Sequence, residues 1–223
     1  MSRSLKIAAA LAALTLPVAA HASIVVNSTN YGLAAPAGPG PVVTFDGGAA
    51  GLAGFTLGGS GSYVVTTGNS PGQYAAPADG PTNATDDATF YLAVMAGTAT
   101  LTSAVAYSTV SLYWGSIDDY NTLQLLDSAG NAFETITNAT IGAGGNGDQL
   151  ASNTNRRVTI DSTTPFYGVA FSSRSAAFET DNIKFISAVP EPATWMMMLF
   201  GFGFMGAAMR KAKRKQGATV SFA

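Results

Sequence analysis

From Ser23 to Ala188 the apolar residues alternate with polar ones, and helical spacing is hard to find. The segment Val110–Leu126 shows this most clearly. Val110, Leu112 and Trp114 point one way, and Ser111 and Tyr113 point the other. Gly115 to Asn121 turns the chain, and Leu123 and Leu125 restart the alternation. Asp127-Ser128-Ala129-Gly130-Asn131 reads as a hairpin loop, with Phe133–Thr137 as the returning strand. A period of two confines such a chain to a sheet.

The same reading extends along the chain. Strands are expected at Ile24–Val26, Val42–Phe45, around Phe55 and Leu57, and at Ser62–Thr67. Further strands are expected at Thr89–Met95, Ala99–Val105, Val158–Ile160, Phe166–Ser172 and Phe178–Ser187. Tyr31–Pro41, Gly68–Asp87 and Gly142–Asn155 are rich in Gly, Pro and polar residues and read as loops. The total is about ten to twelve short strands, with no helix and no internal repeat. This pattern predicts an all-β fold, an antiparallel jelly-roll-type β-sandwich spanning residues 23–188.

Composition narrows the chemistry. The chain has no cysteine, and its one histidine is His21. Residues 23–188 therefore lack Ser-His-Asp and Cys-His nucleophile systems and the usual zinc ligands. Those residues hold four cations, Arg156, Arg157, Arg174 and Lys184, against twelve carboxylates, a net charge of −8. Such a surface argues against nucleic acid as a partner.

The two ends differ from the rest. Arg3 and Lys6, an apolar core from Ile7 to Leu16, Pro17 and Ala20-His21-Ala22 form a secretory signal peptide over residues 1–22, with signal peptidase cutting after Ala22. An uncleaved N-terminal anchor is the alternative, and the short apolar core weighs against it. At the other end, Pro190-Glu191-Pro192 stops preceding structure. No charge follows from Ala193 to Met209, a run of 17 residues or about 25 Å of helix. Arg210, Lys211, Lys213, Arg214 and Lys215 come next and are expected to stay cytoplasmic, followed by an extension at residues 216–223. The run is at the short end for a transmembrane helix, expected over about 193–209. A buried core helix is the alternative. A Pro-Glu-Pro gate, apolar residues all round and a terminal basic cluster weigh against it.

This tail closely resembles the PEP-CTERM sorting signal of Gram-negative bacteria, in its PEPxxW form. Pro190, Glu191, Pro192, Trp195, the Phe/Gly/Met-rich helix and the basic cluster carry the resemblance over residues 189–215. Met196 departs from the pattern, standing where the family usually has Ala. The resemblance implies transient anchoring in the inner membrane, recognition by an exosortase-type membrane protease, removal of the tail, and release to the cell surface or extracellular matrix. The segments Trp114-Gly115-Ser116…Asp118…Tyr120-Asn121 and Phe178-Glu179…Asp181-Asn182 also resemble the bodies of other PEP-CTERM surface proteins, which look like carbohydrate-binding sandwiches.

Few residues are candidates for chemistry. Asp181 and Asn182 interrupt an apolar strand, and Asp118 sits in a turn beside Asp119. Calcium wants about six to eight oxygens, so Asp181, Asn182 and Asp118 are the expected ligands of any stabilising ion. Turn-forming and solubilising roles are the alternative for these residues. Tyr113 and Tyr120 are the candidates for stacking on sugar rings. Glu134 and Glu179 are the only glutamates between the two signals, which leaves little for acid–base catalysis. The expectation is a non-enzymatic surface or matrix protein associated with exopolysaccharide. A secreted carbohydrate-active hydrolase using Asp or Glu is the alternative.

Overall fold

The computed structural model describes residues 23–80, 87–188 and 192–215. The signal-peptide residues, with Ala20 and Ala22, lie outside the described residues, as do Pro190, Glu191 and residues 216–223. The described chain is mostly antiparallel sheet, as the alternation predicts. Eight strands are seen among the described residues: β1 (Ile24–Asn30), β2 (Val42–Val43), β3 (Thr56–Thr66), β4 (Tyr91–Gly115), β5 (Asn121–Leu126), β6 (Ala132–Thr137), β7 (Arg156–Ser173) and β8 (Phe178–Ser187). A short 3₁₀ turn covers Gly48–Leu52, and one helix, α1, covers Pro192–Lys215.

The strands form a single sheet in the order β2-β8-β4-β7-β5-β6, with β1 on β7 and β3 on β4. Their number is lower than expected because two of them are long. Three expected runs fuse into β4, which is 25 residues long, and two fuse into β7, which is 18. Thr98, Tyr107, Thr109, Thr163 and Thr164 lie between those runs and are β-formers that do not break a strand. Pro165 lies inside β7 but gives up no ladder bond. It sits where the β4–β7 register breaks, between the Thr102–Gly168 and Thr109–Asp161 pairs. The break bends both strands, and the sheet curves round one core. Leu92 and Trp114, at opposite ends of β4, both pair with Thr180 of β8.

Apolar residues from both halves of the bent sheet meet inside. Leu92, Leu112, Trp114, Leu123, Val158, Phe171, Phe178 and Phe185 share one buried cluster. Phe178 stacks on Trp114 with ring centroids 4.4 Å apart. Burying each such side chain contributes roughly 1.5–3 kcal/mol.

The other face of β4 is covered as well. Tyr91, Ala93 and Tyr113 lie outside the main cluster yet are fully buried. Residues 69–79 lie over them, with Ala76 packed on Tyr91 and Ala93. The Tyr113 hydroxyl donates to the carbonyl of Ala78.

Helix α1 begins at Pro192, whose missing N–H costs nothing in a first turn. Its apolar side chains from Met196 to Met205, with Met209, are exposed, Met197 at 77% and Phe204 at 74% among them. Among the described residues no helix is long and apolar enough to cross a membrane. The transmembrane helix expected over 193–209 is therefore not found. The uncharged run is 17 residues long, about 25 Å against a hydrocarbon core of about 30 Å. Gly201, Gly203 and Gly206 dilute its apolarity.

Candidate functional site

The β4–β5 loop, residues 116–120, forms part of the wall of two cavities. Ser116 stands at its start with φ of 38°, its N–H donating to Asn155 Oδ1 at 3.1 Å. Ile117 donates to the Thr154 carbonyl at 2.9 Å, and Asp118 N–H donates to Asn121 Oδ1 at 2.9 Å. Asn121 is itself buried and donates to Ser173 Oγ at 2.9 Å. The loop is thus held by buried amides at both ends.

The smaller cavity, about 120 Å³, is lined by Gln73, Tyr74, Ser116, Asp118, Gln149 and Glu179 among others. Glu179 is only 2% exposed. Its Oε1 accepts from Ala75 N–H at 3.0 Å, and its Oε2 accepts from the Ser116 hydroxyl. Burial pushes its carboxyl up to about 7, against the pull of these two donors. Asp118 on the same wall is also raised by burial, with the Tyr120 hydroxyl opposing the rise and Asp119 adding to it.

The larger cavity, about 320 Å³, lies on the other side of the loop. Its floor is a row of hydroxyls across neighbouring strands. Thr98 of β4 pairs with Ser172 of β7, which pairs with Thr122 of β5. Thr98 Oγ1 and Ser172 Oγ are 2.8 Å apart. Tyr120, Asp119 and Arg174 complete its rim, and the last two side chains are exposed. Tyr120 is half-buried, and its hydroxyl donates to the Ala176 carbonyl at 2.7 Å. Burial and the neighbouring Asp118 push that hydroxyl up to about 12.

The expected site residues are distributed differently. Tyr113 is wholly buried, so it offers no face to a sugar. It follows the predicted alternation, but residues 69–79 cover its side of the sheet. Asp118 lies at the Glu179 cavity, while Asp181 lies beside Asp87. Among the described residues no group of three or more His, Cys, Asp or Glu stands ready to hold a metal. Asp118, Asp181 and Asn182 are therefore not one ligand set. Asn182 turns its amide nitrogen, not its oxygen, to Asp181, donating to Oδ2 at 2.8 Å.

Asn182 has a second role. Its φ of 51° falls where β8 slips one residue against β4, between the Ser111–Lys184 and Tyr113–Asp181 pairs. Phe178 lies in the core before this bulge, and Ile183 and Phe185 after it. The change of parity lets Glu179 and Asp181 leave the core side while the strand stays apolar on both flanks. The polar pairs in Phe178–Asn182 are the sequence signal for this arrangement. Thr98, Ser172 and Arg174 carry no such signal, because only the strand register brings them together.

In the tail, Pro192, Trp195, Arg210, Lys211, Lys213, Arg214 and Lys215 all fall within α1, and the Arg210 side chain is exposed. A family model described as the PEP-CTERM protein-sorting motif matches residues 188–215. The chain therefore carries that sorting motif, which implies export and processing by an exosortase. No curated protein matches the chain. Among solved structures, it is similar to the enzymatically active domain of tailspike protein 4 from bacteriophage CBA120. The identity is 18%, over 61% of this chain and 20% of that one, with a TM-score of 0.32. It thus spans 20% of the tailspike chain's length. It is also similar to a family 6 carbohydrate-binding module, at 12% identity over 60% of this chain and 95% of that one, with a TM-score of 0.30.

Proposed function

We propose that this chain is a non-enzymatic protein of the cell surface or extracellular matrix, whose β-sheet body binds exopolysaccharide. The sorting motif at residues 188–215 is the observation that carries the reading. In it, signal peptidase cuts after Ala22. The apolar run of α1 then holds the protein in the inner membrane only transiently, as suits a run short of full span. The five cations at Arg210, Lys211, Lys213, Arg214 and Lys215 keep the end of α1 on the cytoplasmic side. An exosortase then removes the tail.

The larger cavity supports the binding half. A sugar ring presents hydroxyls on its rim and an apolar face. The Thr98–Ser172–Thr122 row with Asp119 and Arg174 supplies donors and acceptors for the first, and Tyr120 a surface for the second. The net charge of −8 over residues 23–188 disfavours polyanionic glycans and favours neutral ones. A glycan array probed with the protein and with Tyr120→Ala tests this. Binding to neutral polysaccharide that the variant loses supports it. Equal binding by both, or none by either, rejects the site.

One observation favours a secreted hydrolase instead. Glu179, pushed up to about 7, shares a cavity with Asp118, and glycosidases work with a pair of carboxyls. Against it, both Glu179 oxygens already accept hydrogen bonds, and the residue is 2% exposed. Hydrolysis assays on a panel of polysaccharides separate the two readings, since only the hydrolase releases sugar and loses that release in Glu179→Gln.

A further inference from the structure

Two buried aspartates from distant parts of the chain, Asp87 and Asp181, meet on the side of β8 away from the core. Asp181 is fully buried and Asp87 is 6% exposed. Asp46 acts on Asp181 through its charge. Each carboxyl is fixed by a donor at one oxygen. Asp181 Oδ2 accepts from Asn182 Nδ2 at 2.8 Å. Asp87 Oδ1 accepts from Thr89 N–H at 2.9 Å and from the Thr89 hydroxyl at 2.5 Å. Asp46 Oδ1 accepts from Phe90 N–H at 3.0 Å.

The second oxygens of the two buried carboxyls have no such donor. Asp181 Oδ1 and Asp87 Oδ2 are both buried without a hydrogen-bond partner. The two carboxyls lie within hydrogen-bonding reach of each other, which is a contact between two acceptors. Arg157 acts on Asp181 through its charge but donates no hydrogen to the pair. Its guanidinium gives its hydrogens to the carbonyls of Gly32 at 2.9 Å, Asn182 at 2.8 Å and Leu33 at 2.5 Å. Burial, then Asp87, pushes Asp181 up to about 9. Two adjacent buried carboxyls with orphaned oxygens are costly in a native fold, and each needs an explanation.

We propose that Asp87 and Asp181 bind a hard divalent cation through the two orphaned oxygens, calcium being the ion that suits this donor set. Thiolate and imidazole ligands are absent from residues 23–188, since the chain holds no cysteine and no histidine beyond His21. Calcium takes about six to eight oxygens, so backbone carbonyls and water complete the shell. The ion ties the entry to β4, at Asp87, to the middle of β8, and locks residues 69–79 over Tyr91 and Tyr113. This inference is independent of glycan binding and of sorting.

The test uses the full-length protein in mild detergent. Its melting temperature is measured in EGTA, in millimolar calcium chloride and in millimolar magnesium chloride. The expected result is a rise of several degrees in calcium over EGTA, absent in Asp87→Asn and in Asp181→Asn. Both variants remove a buried charge while keeping the shape, so both fold without the ion. As a second readout, terbium chloride is expected to give luminescence sensitised by the nearby tyrosines, displaced by calcium and lost in Asp87→Asn. An unchanged melting temperature in both metals together with no terbium signal overturns the site and leaves a proton shared between the two carboxyls.

Discussion

Leu92 and Trp114 lie at opposite ends of β4 and face the same residue of β8, Thr180, from its two sides. The strand between them has gone round the core. The ring pair at this junction, Trp114 on Phe178 at 4.4 Å, therefore joins both halves of the sheet. Phe178→Ala is expected to cost about 3–5 kcal/mol in urea unfolding. A change at an exposed loop residue such as Ser128→Ala serves as the control and is expected to stay within about 0.5 kcal/mol.

The buried Glu179 makes stability depend on pH. Its folded value is raised from 4.5 to about 7, so the folded state holds this proton more tightly than the unfolded chain. The contribution is fully present below the unfolded value and is lost as pH rises toward about 7. Its size is on the order of 3 kcal/mol. Urea unfolding in EGTA from pH 4 to pH 8 is expected to show wild-type stability falling relative to Glu179→Gln across this window. Parallel curves for the two proteins would mean the carboxyl is not the titrating group.

Much of this fold was legible along the chain. The Asp127–Asn131 loop and its two strands were readable because the signal is local: Asp127 Oδ1 takes the Ala129 N–H at 2.9 Å and the Asn131 N–H at 2.8 Å. The alternation of Val110, Leu112 and Trp114 against Ser111 and Tyr113 also held. Burial of both faces did not follow from it, because the cover over Tyr113 comes from a Gly/Pro-rich loop far away in sequence. The fusion of strands into β4 and β7 was hidden for another reason. Pro165 lies between two of the expected runs, and only the tertiary bend gives it a place where no ladder bond is needed. Asp181 stood out as a carboxylate in an apolar strand, yet its neighbour Asp87 could be found only by folding the chain. The groove row of Thr98, Ser172 and Thr122 depended on register alone.

The bulge in β8 predicts an ordering of substitutions at Asn182. Glycine adopts its φ of 51° without strain, whereas a β-branched residue does not. Asn182→Val is expected to lose about 1–2 kcal/mol more than Asn182→Gly in urea unfolding. Both lose the bond to Asp181, so the difference isolates the backbone. Equal losses would show that the left-handed conformation is not what the site requires.

Charge reversal tests the topology assigned to the tail. Glu in place of Arg210, Lys211, Lys213, Arg214 and Lys215 is expected to reduce inner-membrane retention, because the bias that holds those residues in the cytoplasm is lost. Deleting Trp195–Lys215 is expected to leave a soluble periplasmic protein. Fractionation and immunoblotting read both outcomes. Normal surface delivery of the deletion variant would contradict a sorting role for the tail.

The chain is expected to be exported and processed at both ends. Intact mass spectrometry of the protein recovered from the extracellular fraction tests it most directly. The expected species begins at Ser23 and ends near Pro190-Glu191-Pro192, with the apolar run and its basic cluster gone. A secreted species that still carries Trp195 to Lys215 would contradict it.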